Sequence, residues 1–153
     1  MSYENSNRGG YDNRNRFPQK QSNRFDFSEY KIKEWIQKEI DIDTVSFADK
    51  FGKSIQEGRM TTSQIRNIFG EMRRIQMNGY VSQKTSFLLL KPKLAYAVKR
   101  NENNGLRDFY EYFKIAYSSV DTKNDTDGTK QFKNMIELTE AILSYHKFYG
   151  GKE

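Results

Sequence analysis

The segment TTSQIRNIFGEMRRIQMNG, Thr61 to Gly79, decides how this chain folds. Ile65, Ile68, Phe69, Met72 and Ile75 recur at steps of three and four residues, which lines them along one side of an α-helix. At its front, Thr61 and Gln64 have capping-box spacing, a device that satisfies amide donors left without partners in a first turn. At its back, Gly79 supplies a stop. Gly70, inside the segment, costs roughly 1 kcal/mol against alanine and so hints at a close contact with a neighbouring helix.

An amphipathic helix must bury its stripe, and the flanking sequence supplies partners of the same kind. Upstream, Ser28 predicts the cap of a helix running to about Glu39 or Ile40, with Tyr30 or Ile32, Trp35, Ile36 and Ile40 inward. A second helix fits Thr44 to Glu57, burying Val45, Ala48, Phe51 and Ile55 and stopping at Gly58. Downstream, Phe87 to Leu90 leads into a helix containing Leu94, Ala95, Ala97 and Val98. There Pro92 requires either a start near Lys91 or a kink in a longer helix. A fifth helix, Leu106 to Val120, buries Leu106, Phe109, Tyr110, Phe113, Tyr117 and Val120. The polar stretch Asp121 to Gly128 then connects to a last helix, Thr129 to Tyr149, with Phe132, Met135, Ile136, Ile142, Leu143 and Tyr149 inward. No segment alternates at period two for long, and no internal repeat is visible. The expected fold is all-α: a compact helical bundle of five to six helices, one domain over residues 27–150.

Residues 1–26 read as a disordered Asn/Arg-rich tail, because Asn, Arg, Gly, Ser and Gln cannot bury enough apolar area to offset the entropy of ordering. Tyr3, Tyr11 and Phe17 among Arg8, Arg14, Arg16 and Arg24 could stack on bases and pair with phosphates. A merely solubilising tail fits equally well. With no cysteine there are no disulfides or thiolate metal sites, which fits a reducing compartment. The leading residues lack a signal-peptide pattern, and the longest apolar run, Leu94 to Val98, is far short of the ~20 residues that span a bilayer. A soluble cytoplasmic protein without membrane contact is expected.

Catalytic signals are almost absent. The single histidine, His146, lies among apolar positions of the last helix and reads as structural or surface. There is no thiol nucleophile, no phosphate-cradling glycine loop and no zinc-binding histidine pair. Asp125, Asp127 and Gly128 imitate the middle of a calcium loop, yet Lys123 and Asn134 occupy the positions of its two anchoring carboxylates. Asp41 and Asp43 read as helix-terminus or turn residues. The expectation is therefore a non-enzyme with no catalytic residue, metal or cofactor.

Charge is more informative. The net charge is +6, and residues 61–120 alone carry ten basic and four acidic side chains. Such a local excess attracts polyanions, of which nucleic acid is the commonest inside cells. Arg66 and Arg73 are seven residues apart, hence nearly in line, with Arg74 close by. Lys93, Tyr96 and Arg100 place an aromatic between two cations, and Arg107 and Lys114 repeat the seven-residue alignment. Three consecutive helices thus each present a basic line outward, suited to a phosphate backbone and carrying no sequence code.

Thr61-Thr62-Ser63-Gln64-Ile65-Arg66, followed by Leu89-Leu90-Lys91-Pro92-Lys93-Leu94-Ala95-Tyr96-Ala97, resembles the two signature stretches of the small subunit of type III-A (Csm-type) CRISPR effector complexes. The likeness covers roughly Glu29 to Tyr149 and leaves out the leader. It implies a helical bundle that stacks head to tail with its own copies as the inner filament, beside backbone subunits holding guide RNA and near the large subunit. It also implies contact with the guide–target duplex backbone through basic residues, with target cleavage belonging to other subunits and guide pairing supplying specificity in antiviral defence. Arg66, Lys91, Lys93 and Arg100 lie in or next to the matching motifs, whereas Arg73, Arg74, Arg107 and Lys114 rest on helical faces alone. Two rival readings are a stand-alone RNA-binding protein or nucleic-acid chaperone using the basic tail, and a metal-dependent nuclease using Asp41, Asp43, Asp125 and Asp127.

Overall fold

The computed structural model describes residues 24–153. Among them, seven α-helices and one short 3-10 turn account for the regular structure, and there is no strand. They are α1 (Ile32–Gln37), α2 (Ile42–Glu57), α3 (Thr62–Asn78), α4 (Lys84–Leu88), α5 (Leu90–Arg100), α6 (Asn104–Ser118) and α7 (Asp125–Phe148). The fold is the expected all-α bundle. The tail expected over residues 1–26 lies, through residue 23, outside the described residues. Of its last three residues two engage the bundle: Arg24 Nε donates to Asp108 at 2.6 Å, and the Phe25 ring sits 4.9 Å from that of Phe51.

The 24-residue α7 forms the spine. Helix α2 lies along it in the same direction, with Gly52 against Ile142 and Gln56 beside Gly150. A Cβ on Gly52 would come within 2.7 Å of Tyr145 Cβ and 2.8 Å of the Ile142 carbonyl oxygen, so only glycine permits this approach. Helices α3 and α6 run antiparallel to α7. On one side Arg73 faces Glu140 and the Thr62 amide donates to the Lys152 carbonyl; on the other Tyr112 meets Thr139 and the Asp121 amide donates to Gln131. Helix α5 closes the ring between α3 and α6. One continuous core results, in which Phe47, Phe51, Phe87, Phe109, Tyr112, Phe113 and Phe132 are the largest fully buried rings.

The helix-deciding segment behaves as its spacing requires. Ile65, Ile68, Met72 and Ile75 are buried, Phe69 is half-buried, and the Gln64 side chain accepts from the Thr61 amide at 2.9 Å. Helix α2 starts earlier than expected, at Ile42, because Asp41 caps it: the Thr44 amide donates to Asp41 Oδ1 and the Asp41 amide to Thr44 Oγ1, each at 3.0 Å. Pro92 occupies the first turn of α5, where its missing amide costs nothing, so the first of the two alternatives holds.

Several details differ from expectation. Ser28 caps no helix; its amide donates to Asp26 in a turn, and α1 begins only at Ile32. Val45 is exposed, since α2 turns Phe47, Ala48, Phe51 and Ile55 inward instead. Gly70 makes no close contact, for a Cβ there would meet nothing within 4 Å. Fully buried Tyr112 and Ala116 join the stripe of α6, while Tyr110 and Tyr117 are only half-buried. Helix α7 begins at Asp125, capped by the Asn124 side chain, so the connector is shorter than expected and Gly128 lies inside the helix against Tyr80. Among the described residues no helix is long and apolar enough to cross a membrane.

Candidate nucleic-acid interface

Helix α5 buries Leu90 and Leu94, so Lys93, Tyr96 and Arg100, spaced three and then four, must face outward. Because α5 runs antiparallel to α3, this face borders the side of α3 that carries Gln64, Asn67, Ile68 and Glu71. The two helices enclose a groove of about 650 Å³, with Ser63 and Asn101 at one end. Ile68 and Ala97 supply its apolar floor, and amides, a hydroxyl and charged groups form its rim. Tyr96 is 66% exposed, and the Arg100 guanidinium lies 5.6 Å from the centre of its ring. Arg100 makes no ion pair among the described residues, and neither does Lys91, which lies 5.8 Å from the centre of the Tyr117 ring.

The opposite end of the groove carries an acid. Glu71 accepts twice from Arg74, Nε to Oε1 at 3.0 Å and Nη2 to Oε2 at 2.9 Å, and Lys93 Nζ is 4.0 Å from Oε2. The Arg74 hydrogen bonds hold the Glu71 carboxyl below the usual carboxylate range, and the same pairing raises the Arg74 guanidinium. Arg74 is held further by Gln83 at 3.2 Å and Ser86 at 3.1 Å. The groove therefore runs from an uncompensated cation at Arg100 to a cluster in which Arg74 and Lys93 share the one carboxylate of Glu71.

The other sequence-predicted cations lie elsewhere. Arg66 and Arg73 share a face of α3, but it is the one turned toward α7: Arg66 pairs with Glu153 at 2.9 Å and Arg73 with Glu140 at 3.2 Å. Arg74, about 100° round the helix from Arg73, belongs to the groove side instead. On α6, Arg107 pairs with Glu102 at 3.4 Å and Lys114 with Glu111 at 3.1 Å. The eight cations thus form no single ridge; Lys93 and Arg100 line the groove, Arg74 is tied to its Glu71 end, and the rest are distributed over two other sides. Exposed pairs of this kind are worth only about 0–1 kcal/mol, so they exchange readily for a phosphate. Sequence reasoning did not single out Asn67, Glu71 and Asn101, and named Gln64 only for its capping and motif positions. Only the three-residue spacing of Glu71 and Arg74 offered a signal.

The remaining candidates have structural duties. Asp41 and Asp43 sit at the start of α2, Asp125 and Asp127 in the first turn of α7, where they complement the helix dipole. Asp125 also pairs with Lys84 at 2.5 Å. Among the described residues no three His, Cys, Asp or Glu side chains are placed to hold a metal ion. His146 is buried, its Nε2 2.7 Å from the Met60 carbonyl oxygen, which makes Nε2 the protonated, donating nitrogen.

The segment that contains the groove, its flanking helices and all eight cations also carries a family match: the family model Csm2 Type III-A covers residues 38–152. The chain belongs to the Csm2 Type III-A family. It is accordingly a small subunit of a type III-A CRISPR complex and assembles with that complex's other subunits. No match was found among curated proteins, and none among solved structures. The match spans both stretches that carried the resemblance, which in this Csm2-type chain are the capped start of α3 and the opening turns of α5.

Proposed function

We propose that this Csm2-type subunit is a non-catalytic RNA clamp in the cytoplasm, stacked head to tail with its own copies along the complex and steadying guide and target RNA through backbone contacts. The observation that carries this reading is the outward face of α5, where Lys93 and Arg100 flank an exposed ring beside the α3 groove. Arg100 leads, because a cation without a carboxylate neighbour gains the whole attraction of a phosphate. Lys91, which also has no ion pair among the described residues, ranks beside it, and Lys93, 4.0 Å from Glu71, comes next, while Arg66, Arg73, Arg74, Arg107 and Lys114 must first exchange an acidic partner.

Specificity is left to base pairing by the guide, as backbone contacts cannot read sequence. The test is equilibrium RNA binding over a range of salt. Lys93→Ala with Arg100→Ala should weaken binding, and each lost phosphate contact should reduce the slope of log affinity against log salt by roughly 0.7–0.9. Helicity should not change. Unaltered affinity and slope would remove the clamp.

The tail-dependent chaperone reading is separated by deleting residues 1–23. The cut must stop before Arg24, which engages Asp108. A chaperone should lose most of its RNA affinity, whereas the filament subunit should still co-purify with guide RNA and the large subunit.

A further inference from the structure

The α3–α5 groove has features that phosphate binding does not use. Its floor at Ile68 and Ala97 is apolar, one ring stands 66% exposed at its edge, and a carboxylate closes one end. A phosphate would be drawn to Arg100, while at the other end it would have to compete with Glu71 for Arg74 and Lys93. A flat heterocycle has no such conflict, since its face prefers the ring and the floor while its polar edge meets the amides of Gln64, Asn67 and Asn101. Glu71 has both oxygens engaged by Arg74, yet an ionised carboxylate accepts about four hydrogen bonds, so it can still take one from an amine.

We infer that the groove holds one unpaired nucleobase of an RNA strand, stacked on Tyr96, its amine-bearing edge toward Glu71 and its neighbouring phosphate on Arg100. This rests on the RNA-clamp reading and adds to it a site for a base in place of backbone alone. Stacking suits every base, because each has a π-face, while Glu71 favours those with an exocyclic amino group, cytosine, adenine and guanine, over uracil, whose one donor is its ring N3–H. A base inside a duplex presents no free face, so the occupant is single-stranded or splayed out. The guanidinium over the Tyr96 ring serves both partners, a cation for the phosphate and a plane that continues the stack.

The experiment compares full-length protein binding to a short oligocytidylate, to the same strand made abasic, and to oligouridylate. Expected is a ~5- to 20-fold preference for oligocytidylate over the abasic strand, the lower part of the range for one base on one aromatic. Tyr96→Ala should abolish that preference without weakening abasic binding, and Tyr96→Phe should keep it. Glu71→Gln should narrow the margin of oligocytidylate over oligouridylate.

Equal, salt-sensitive binding of the oligocytidylate and abasic strands would overturn the nucleobase site and leave the clamp standing. No binding of any strand would overturn both. A Tyr96→Ala variant that binds RNA as before but no longer co-purifies with the other subunits would make the groove a protein contact and end the proposal.

Discussion

The hydroxyl of Tyr112 lies 2.8 Å from that of Thr139, both residues fully buried where α6 packs against α7. Burial pushes the Tyr112 phenol well above the usual tyrosine range, and the bond to Thr139 only partly offsets this. Thr139→Val leaves the phenol without a partner in the core and should cost about 1–3 kcal/mol. Adding Tyr112→Phe should recover part of that loss, because removing both polar groups of a buried pair costs less than stranding one. Urea denaturation midpoints of the two single variants and the double variant check this.

The glycines divide by environment. Gly70 faces solvent with nothing within 4 Å of an added Cβ, so Gly70→Ala should stabilise the protein by about 0.5–1 kcal/mol through helix propensity. Gly52→Ala would push a methyl into Tyr145 and the α7 backbone, at 2.7 and 2.8 Å, and should destabilise by about 1–3 kcal/mol. Thermal melts of the two variants should shift in opposite directions.

Arg24 and Asp108 tie the incoming chain to α6. Asp108 is 3% exposed, and it accepts from Arg24 Nε at 2.6 Å and from the Phe25 amide at 3.2 Å. Arg24→Ala removes a charge-assisted hydrogen bond to a buried carboxylate and should cost about 1–2 kcal/mol. Proteolysis should then cut faster near Phe25 and Phe27, whose rings pack on Phe47 and Phe51.

Glu71 links stability to pH. Arg74 lowers its carboxyl in the folded state, so the pair stabilises the fold above the usual carboxylate range. That stabilisation is lost as pH falls through the lowered folded value. Wild type should therefore lose stability on acidification more steeply than Glu71→Gln, which has no such proton to take up. Denaturation midpoints at neutral and acidic pH measure the difference.

Short-range chemistry was legible without coordinates. The Thr61–Gln64 box, the stripe Ile65–Ile68–Met72–Ile75, the exposure of Lys93, Tyr96 and Arg100, and the ease of Pro92 in a first turn all depend on neighbours within one or two turns. Those spacings fix which side of a helix is apolar, and with it an all-α bundle and the outward face of α5. Where residues respond to partners far along the chain, the reading failed. Gly128 looked like the end of a loop, but it lies within α7, which the Asn124 side chain caps, and there Tyr80 and the Asp121 carbonyl leave no room for a side chain. Tyr112 was missed because α6 is buried on two sides, against the rings of α2 and against Thr139. The groove itself needed α3 and α5 to lie antiparallel, which brings Asn67 and Glu71 beside Lys93 and Arg100 and sends Arg66 and Arg73 to the opposite side. Periodicity sets the face a side chain occupies on its own helix; only packing of the helices sets which faces meet, because contacts between distant segments leave no fixed spacing in the chain.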